Sequence, residues 1–452
     1  MTISNFFNKR PAGMTAFYTI WVGQFFSLLG TGMTRFALTL WAWELTGSAT
    51  ALAFVAFFSF LPGVIFSPIA GALVDRWDRK LVMMMSDLAA GVGTMLLLLL
   101  SLNGSLVLWH VYVIAAFAGA FESFQFPAYS AAITTMVDKE QYARTSAMLG
   151  LADSASGIFA PIAAAGLYGL FRLNGILTLD IVTFLIAYGT LLLVKIPAVK
   201  RSEEGADSRS SFWQELVYGF RFIWNRKSLF WLQTSFFFAN FVFGMSMILT
   251  NPMILARTGN NEAILGIVAA TFSIGGLVGG LLMSYQGGLK ERRVRGVLWG
   301  FTLSGLFGTV LMGLGQSPLI WIVGAFATSL FLSPINASNQ AIWQMKVPPD
   351  VQGKVFAARG VIARISSPVA MLIGGVLADY IFEPAMMSDG VLAPIFGGLV
   401  GTGAGAGMGL MLVILGISTA IVGMVSYALP IIRDVELLVP DFDESLIATN
   451  EA

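Results

Sequence analysis

The sequence predicts an all-α integral membrane protein with twelve membrane-spanning helices in two related six-helix bundles. The 452 residues are 56% hydrophobic and 11% charged, with a mean hydropathy of +0.78, whereas a soluble domain carries about 25% charged residues. Long apolar runs recur along the chain, and one long polar stretch divides them six to six. Because the runs are continuous and do not alternate between polar and apolar residues, they exclude a membrane β-barrel.

Each predicted helix is an apolar run long enough to cross about 30 Å of hydrocarbon, which takes roughly 20 residues. The first six runs cover residues 16–43, 50–73, 81–102, 106–136, 142–170 and 176–196. The last six cover residues 229–255, 263–285, 294–314, 319–345, 355–380 and 401–429. Several runs exceed 20 residues, which predicts helix tilt or extension beyond the lipid.

The distribution of Lys and Arg predicts the orientation of the chain. With both termini in the cytoplasm, 21 of the 26 basic residues lie in cytoplasmic segments, and the external loops hold two, Arg172 and Arg257. Cytoplasmic loops of membrane proteins are enriched in Lys and Arg. We therefore expect a multi-pass protein of the inner (plasma) membrane with both termini inside and with the lipid bilayer as its surroundings.

A short charged turn joins the second and third runs: Gly71-Ala-Leu-Val-Asp75-Arg76-Trp-Asp78-Arg79-Lys80. By charge alone, this turn is typical of an ordinary cytoplasmic loop. Its full spacing resembles the loop signature between the second and third helices of the major facilitator superfamily, which usually has Gly where this chain has Asp78. The run Asp-Arg-Trp-Asp-Arg-Lys is similar to the branch that contains macrolide-efflux and siderophore-export proteins.

This resemblance implies the major facilitator fold, in which two pseudo-symmetric bundles rock about a cavity lined by helices one, four, seven and ten. It also implies a cytoplasmic gating motif, here Gly71, Asp75, Arg76, Arg79 and Lys80. In that fold the eleventh helix, which carries Arg359 and Arg364, faces the second. We expect Asp75 to be stabilised by the dipole at the start of the eleventh helix, as a latch for one state of the transport cycle.

An internal repeat relates the two halves of the chain. Residues 137–150 recur as residues 347–360 with a constant offset of 210. Both copies begin with Val, and both have a basic residue, an Ala and a Gly at the eighth, eleventh and fourteenth positions. A shift of about half the chain is typical of a parallel repeat of helices. Intramembrane acids such as those of the first half have no counterpart in the second, so we expect proton coupling to be concentrated in the first half.

The predicted domains follow from these boundaries. The first bundle covers residues 1–196, a cytoplasmic linker covers 197–228, the second bundle covers 229–430, and a cytoplasmic acidic tail covers 431–452. Within the linker, residues 212–224 have the pattern of an amphipathic helix on the inner membrane surface. We expect the acidic tail to be solvated.

Ionisable side chains inside spans are costly, at about 2.5–3.5 kcal/mol each on insertion scales, so each one is a candidate functional residue. Glu122 lies near the middle of the fourth run, close to Gln125, and predicts a site for a proton or a cationic drug; a structural hydrogen bond is the alternative. Arg35, in the outer third of the first run, is a second cavity candidate. We estimate an axial offset of roughly 10 Å between Arg35 and Glu122, which tilt would have to close.

Other polar residues have two interpretations each. Asp153 lies on a stripe of small residues and is either a proton carrier or a partner across a packed interface. Polar groups on the seventh and tenth runs either line the cavity or join helices, namely Asn240, Asn336, Asn339 and Gln340. We expect Asp87 to belong to the cytoplasmic charge cluster, Asp180 and Asp379 to be solvated near the outer interface, and His110 to have a structural role.

The function that these features predict is secondary active transport, most simply proton-coupled export of small amphipathic drugs or natural products. The chain has no Cys and one His, which excludes the common metal sites and thiol catalysis, and it lacks an ATP-binding loop. A net charge of +1 argues against a nucleic-acid partner. We expect a monomer with no cofactor besides the proton gradient, and no enzymatic activity. The alternatives are a siderophore or lysophospholipid transporter, and a transport-inactive sensor or scaffold.

Overall fold

The computed structural model describes residues 11–74, 77–197, 212–286, 292–348 and 351–442, and all regular elements in them are helical. The chain forms two compact units. Unit one comprises Met1–Arg209 together with Ile254–Ala270, and unit two comprises Ser210–Met253 together with Thr271–Ala452. Asp75 and Arg76 of the predicted gating motif lie outside the described residues, as do most of the predicted linker and the end of the tail.

Unit one contains the helices of the first half. They are α1 (Gly13–Thr46), α2 (Ala49–Val74), α3 (Arg79–Leu102), α4 (Leu108–Met136), and a helical segment Tyr142–Leu193. That segment contains one non-helical residue, Arg172, with φ 52° and ψ −166°. The break divides it into α5 (142–171) and α6 (173–193), each long enough to cross a bilayer.

The helices of unit one approach one another closely at small residues. A methyl group on Gly119 of α4 would lie 2.2 Å from the carbonyl oxygen of Ser59 on α2, so the two backbones are in direct contact. On the buried face of α5, Ala152, Ser156, Ala160 and Ala164 recur every four residues. Ser156 donates a hydrogen bond of 2.9 Å to the carbonyl of Leu28 on α1. Small residues therefore set the helix spacing, as is usual in membrane bundles.

Unit two contains the remaining long helices. They are α7 (Lys227–Thr258), α8 (Glu262–Tyr285), α9 (Arg293–Leu314), α10 (Pro318–Lys346), α11 (Gln352–Met386) and α12 (Ala406–Ala428). The end of α7, the start of α8 and the turn between them, Ile254–Ala270, belong to unit one. Residues 304–310 of α9 and 378–382 of α11 are wound as π-helix. A methyl group on Gly305 of α9 would lie 2.4 Å from the carbonyl oxygen of Gly416 on α12.

The amphipathic segment expected in the linker is a helix, Phe212–Asn225. One face packs on α11, because a methyl group on Gly219 would lie 2.3 Å from the carbonyl oxygen of Lys354. Phe222 and Ile223 are buried in the core of unit two, whereas Trp224 is exposed. The helix is therefore docked on unit two through one face.

The start of the C-terminal tail is also docked on unit two, which corrects the expectation that the tail is solvated. Val435 is fully buried, and the Lys346 ammonium donates to the carbonyls of Glu436 and Val439 and pairs with Asp441 at 2.7 Å. We call residues 434–442 the C-terminal strap. It is held because the buried lysine needs acceptors that this segment supplies.

Ten helices in the described part of the chain are long and apolar enough to cross a membrane. One of them, Lys139–Leu193, is 55 residues long and is broken at Arg172. The 34-residue α1, which carries Gln24, Arg35 and Glu44, is not among the ten. The fold class is confirmed as an all-helical membrane protein, and the count of twelve spans stays a prediction.

Candidate functional site

Arg35 and Glu122 form an ion pair between α1 and α4. The Arg35 Nη2 atom lies 2.5 Å from the Glu122 Oε2 atom, and the two side chains are 60% and 58% exposed. Both residues lie in the interior of long apolar helices. An exposed ion pair at such a position marks a helix face that meets water or a polar ligand, because hydrocarbon solvates charges poorly.

The pair forms although the sequence suggested a large axial offset. The structure ends α1 at Thr46 and begins α4 at Leu108. Counted from those ends, Arg35 is eleven residues into α1 and Glu122 is fourteen residues into α4. The difference of three residues corresponds to about 4.5 Å at 1.5 Å per residue. The long Arg35 side chain covers that distance. The sequence estimate of 10 Å was wrong because the helix ends were misplaced.

A second polar cluster joins α1, α3 and α4 around Asp87. The Asp87 Oδ2 atom accepts a hydrogen bond of 2.8 Å from the Gln24 amide, and Oδ1 accepts one of 2.9 Å from the Gln125 amide. The Gln125 amide also donates to Gln24 Oε1 at 3.1 Å. Asp87 is 8% exposed. The expectation that Asp87 belongs to the cytoplasmic charge cluster is therefore wrong, and Gln125 lies in this cluster and not beside the ion pair.

Asp180 of α6 is buried as well, which corrects its assignment as a solvated residue. The Asp180 Oδ2 atom accepts hydrogen bonds from the hydroxyls of Thr34 on α1, at 2.9 Å, and Thr94 on α3, at 3.0 Å. Hydroxyl donors replace the water that a carboxylate loses on burial. Asp379, expected to be solvated too, is half-buried near the end of α11.

Asp153 lies on α5 with its side chain exposed, one residue from the packed face that Ala152 and Ser156 form. Within the described residues, no hydrogen bond or ion pair joins its carboxylate to another side chain. Both interpretations of Asp153, as a proton carrier and as a partner across a packed interface, stay predictions.

Comparison with known proteins identifies the family. Residues 20–258 match the model of the Major Facilitator Superfamily. The chain belongs to this superfamily. Macrolide efflux protein A of Streptococcus pyogenes is 29% identical over 367 residues, covering 81% of this chain and 90% of that protein. The multidrug efflux pump Tap of Mycolicibacterium fortuitum is 29% identical, covering 77% and 86%, and the enterobactin exporter EntS of Shigella flexneri is 23% identical, covering 75% and 79%.

Solved structures show the same fold. A bacterial homologue of the human lysosomal transporter Spinster, in an inward-facing and unoccupied conformation, superimposes with a TM-score of 0.65 at 14% identity. The match covers 90% of this chain and 96% of that one. The nucleoside transporter NupG superimposes with a TM-score of 0.62 at 12% identity, covering 91% and 98%. The chain is thus a multi-pass membrane transporter of the superfamily, as the sequence resemblance implied.

In unit two of this transporter, the predicted site residues group around Arg359. Its guanidinium donates to Gln340 Oε1 at 3.0 Å and lies over the rings of Trp343 and Phe356 at 5.5 and 5.6 Å. Asn339 is buried and accepts a hydrogen bond from Trp343 Nε1 at 3.1 Å. Arg359 is therefore bound inside unit two by an amide and two aromatic faces.

The other polar candidates of unit two are not brought together. Asn240 donates to the carbonyl of Phe236 on its own helix at 2.8 Å. Asn336 and Arg364 are exposed. Asn240 thus acts within α7, and only Asn336 and Arg364 of these three remain open to a ligand.

The described part of the predicted gating motif holds the N-terminal end of α3. Asp78, where the family usually has Gly, caps this helix by accepting from the Leu81 amide at 2.9 Å. Arg79 donates to the carbonyl of Ala131 on α4 at 2.6 Å, and Lys80 donates to the carbonyl of Val194 at 2.6 Å. Gly71 lies in the last turn of α2. The latch through Asp75 stays a prediction.

The two remaining expectations concern metal binding and the role of His110. Within the described residues, no group of three His, Asp or Glu side chains is placed to hold a metal ion. His110 has the structural role that the sequence indicated. Its Nδ1 atom accepts a hydrogen bond of 3.2 Å from the backbone N–H of Val107 and so caps the start of α4.

Sequence reasoning missed Gln24, Thr34 and Thr94, each of which completes a buried carboxylate cluster. No sequence signal linked any of the three to an acid, because each partner lies on another helix.

Proposed function

We propose that this transporter exports small amphipathic molecules from the cell in exchange for protons, by alternating access across the inner membrane with both termini in the cytoplasm. The proton gradient is its coupling partner, and it needs no ATP or other cofactor. The observation that carries the proposal is the open Arg35–Glu122 ion pair inside α1 and α4.

The pair supports a binding role because its two charges satisfy each other only partly. More than half of each side chain is exposed, so a ligand can reach both charges without breaking the helix packing. An amphipathic amine would take Arg35's place beside the Glu122 carboxylate. Aromatic rings on the same helix, Phe117 and Phe121 with centroids 4.9 Å apart, offer apolar surface for the rest of the ligand.

The relatives support a drug as substrate. Two of the proteins to which this chain is similar are named for macrolide efflux and for multidrug efflux, and each is matched over most of its length. Macrolides are therefore the first substrates to test. A siderophore exporter is the second candidate, because Arg35 can bind an anionic ligand and the enterobactin exporter is also similar to this chain.

The test is transport by purified protein in proteoliposomes without ATP. We expect a labelled macrolide to accumulate when a pH gradient is imposed, and an ionophore that collapses the gradient to abolish the accumulation. Glu122→Gln is expected to weaken macrolide transport at least about tenfold, the effect of removing an ion contact of about 1.4 kcal/mol or more. Thr178→Ala, a change on the exposed side of α6, serves as the matched control.

The alternatives give different results. A siderophore exporter would move enterobactin and not macrolides, and it would be more sensitive to Arg35→Gln than to Glu122→Gln. A transport-inactive sensor or scaffold would move neither compound under any gradient. Macrolide transport that is driven only by ATP, or that is unaffected by the gradient, would overturn the proposal.

A further inference from the structure

The buried cluster of Asp87, Gln24 and Gln125 is not used by the substrate site described above. It connects three helices, with one amide donor on each carboxylate oxygen of Asp87. Gln24 is buried and Gln125 is half-buried. A polar cluster this enclosed must satisfy its own hydrogen bonds, because water cannot do so.

The charge of Asp87 is not balanced by a cation. Within the described residues, both of its hydrogen-bond donors are neutral amides, and no Lys or Arg pairs with it. The two cations at the start of α3, Arg79 and Lys80, donate to backbone carbonyls. Glu122 differs, because Arg35 balances its charge. Burying an unpaired carboxylate costs free energy that binding one proton removes.

The cluster also contains an acceptor without a donor. The Oε1 atom of Gln125 is buried and has no hydrogen-bond partner among the residues that the structure describes. Its amide nitrogen, in contrast, donates twice. A half-turn of the amide exchanges the positions of oxygen and nitrogen at little steric cost. After that rotation, Oε1 faces Asp87 Oδ1 and accepts a hydrogen bond from a protonated carboxyl.

We propose that Asp87 binds the transported proton and that the Gln125 amide reorients when it does. The inference rests on the proposed proton-coupled export. In one state the ionised carboxylate accepts N–H bonds from Gln24 and Gln125. In the other, a proton from water is bound at Oδ1, and the new O–H group donates to Gln125 Oε1. The carboxyl is neutral in the second state. The rotation also breaks the hydrogen bond that the Gln125 amide nitrogen donates to Gln24 Oε1, and no covalent bond changes apart from the new O–H bond.

Other titratable groups on the helices around Asp87 do not bond to its carboxylate. They are Tyr18, Arg35 and Glu44 on α1, Arg79 and Lys80 on α3, His110, Tyr112, Glu122 and Tyr129 on α4, and Asp180 and Tyr188 on α6. Of these, Tyr129 lies one turn beyond Gln125, and its buried hydroxyl has no hydrogen-bond partner in the described part of the chain. The pH response of the cluster is therefore assigned to Asp87.

The position of Gln125 couples the proton site to the substrate site. Gln125 and Glu122 are three residues apart on α4, so one helical turn carries both. Next to Asp87, the Ser86 hydroxyl donates to the carbonyl of Phe121 at 3.0 Å and holds α3 against the same turn. A change at Asp87 thus reaches the residues that flank the Arg35–Glu122 pair.

The experiment compares Asp87→Asn with Asp180→Asn in proteoliposomes. We expect Asp87→Asn to continue exchanging labelled for unlabelled macrolide, while its accumulation under a pH gradient falls to the level without a gradient. Asp180→Asn, which removes a buried carboxylate of the same unit, is expected to keep gradient-driven accumulation. Infrared difference spectra at acid and alkaline pH should lose a protonated-carboxyl band in Asp87→Asn and keep it in Asp180→Asn.

The possible failures are distinguishable. If macrolide accumulation by the wild type does not depend on the pH gradient, the proposed function is wrong. A gradient-driven wild type whose Asp87→Asn variant still accumulates macrolide, or retains the infrared band, overturns only the assignment of Asp87. If Asp87→Asn does not fold, Gln24→Met tests the same claim, because Gln24 donates to Asp87 Oδ2 and the proposal gives it no bond to the new O–H group. Loss of this N–H donor to the carboxylate should move the pH midpoint of transport upward by about one unit, and an unchanged midpoint would contradict the proposal.

Discussion

The α4–α5 junction of unit one and the α10–α11 junction of unit two are related by the offset of 210 residues, and their backbones agree closely. Val137 and Val347 each donate to the carbonyl four residues earlier, at 3.1 Å in both cases. The Tyr142 hydroxyl donates to the carbonyl of Thr134 at 3.2 Å. At the equivalent position, Gln352 donates to the carbonyl of Gln344 at 3.0 Å. The repeat has kept these contacts while exchanging the side chains that make them.

The interiors of the two units differ in chemistry. Unit one holds the buried carboxylates Asp87 and Asp180 and the Arg35–Glu122 pair. In the described part of unit two, the Arg359 guanidinium is bound by an amide and aromatic rings. The difference teaches that two copies of one scaffold can differ in the charged groups that their interiors hold, carboxylates in one and an arginine bound by rings in the other.

If unit two is mainly a scaffold, a site where two of its helix backbones touch should be among its most sensitive points. Gly305→Leu places a side chain where a methyl group already lies 2.4 Å from the Gly416 carbonyl oxygen. We expect a loss of about 3 kcal/mol or more in stability, because the backbones cannot separate without repacking. The unfolding temperature in detergent measures it. Gly280→Ala is the control, since nothing lies within 4 Å of its added methyl group.

A smaller effect is expected at Lys346, whose counterpart in unit one, 210 residues earlier, is Met136. Both residues are buried. Lys346→Met gives unit two the side chain of unit one but leaves the carbonyls of Glu436 and Val439 without their donor. We expect about 1–3 kcal/mol of destabilisation and faster protease cleavage within the C-terminal strap. An unaffected cleavage rate would show that Lys346 does not hold the strap.

The smallest expected effect concerns the two equivalent hydrogen bonds. Tyr142→Phe and Gln352→Met each remove side-chain bonds to the preceding helix end. We expect each to cost about 0.5–1.5 kcal/mol, the range for a neutral hydrogen bond. Similar decreases in unfolding temperature would support equivalent roles in the two units. A decrease confined to one variant would show that the repeat is conserved in geometry and not in energy.

The sequence was sufficient for the features that depend on neighbouring residues. Continuous apolar runs predict the long helices, since each residue contributes independently to membrane insertion. The charged turn up to Lys80 and the repeat of residues 137–150 identified the superfamily and the relation between the halves. A structural role for His110 followed from its position at the start of a span, whereas its capping hydrogen bond was seen only in the structure.

Features that depend on helix–helix contacts were not predicted. Asp87 and Asp180 lie near enough to helix ends for hydropathy to suggest solvation, but the structure buries both. Their donors come from helices far apart in sequence, such as Gln24 and Thr34 on α1. The axial offset estimated between Arg35 and Glu122 was too large for a related reason. Small errors in the predicted ends of two helices add along the helix axes.

The central claim is that unit one carries the proton chemistry of transport. The most direct measurement is proton release from detergent-solubilised protein in weakly buffered solution when macrolide is added. We predict release from the wild type, its loss in the double variant Asp87→Asn/Glu122→Gln, and its retention in Arg359→Gln. Release that persists in the double variant, or that disappears only in Arg359→Gln, would contradict the account.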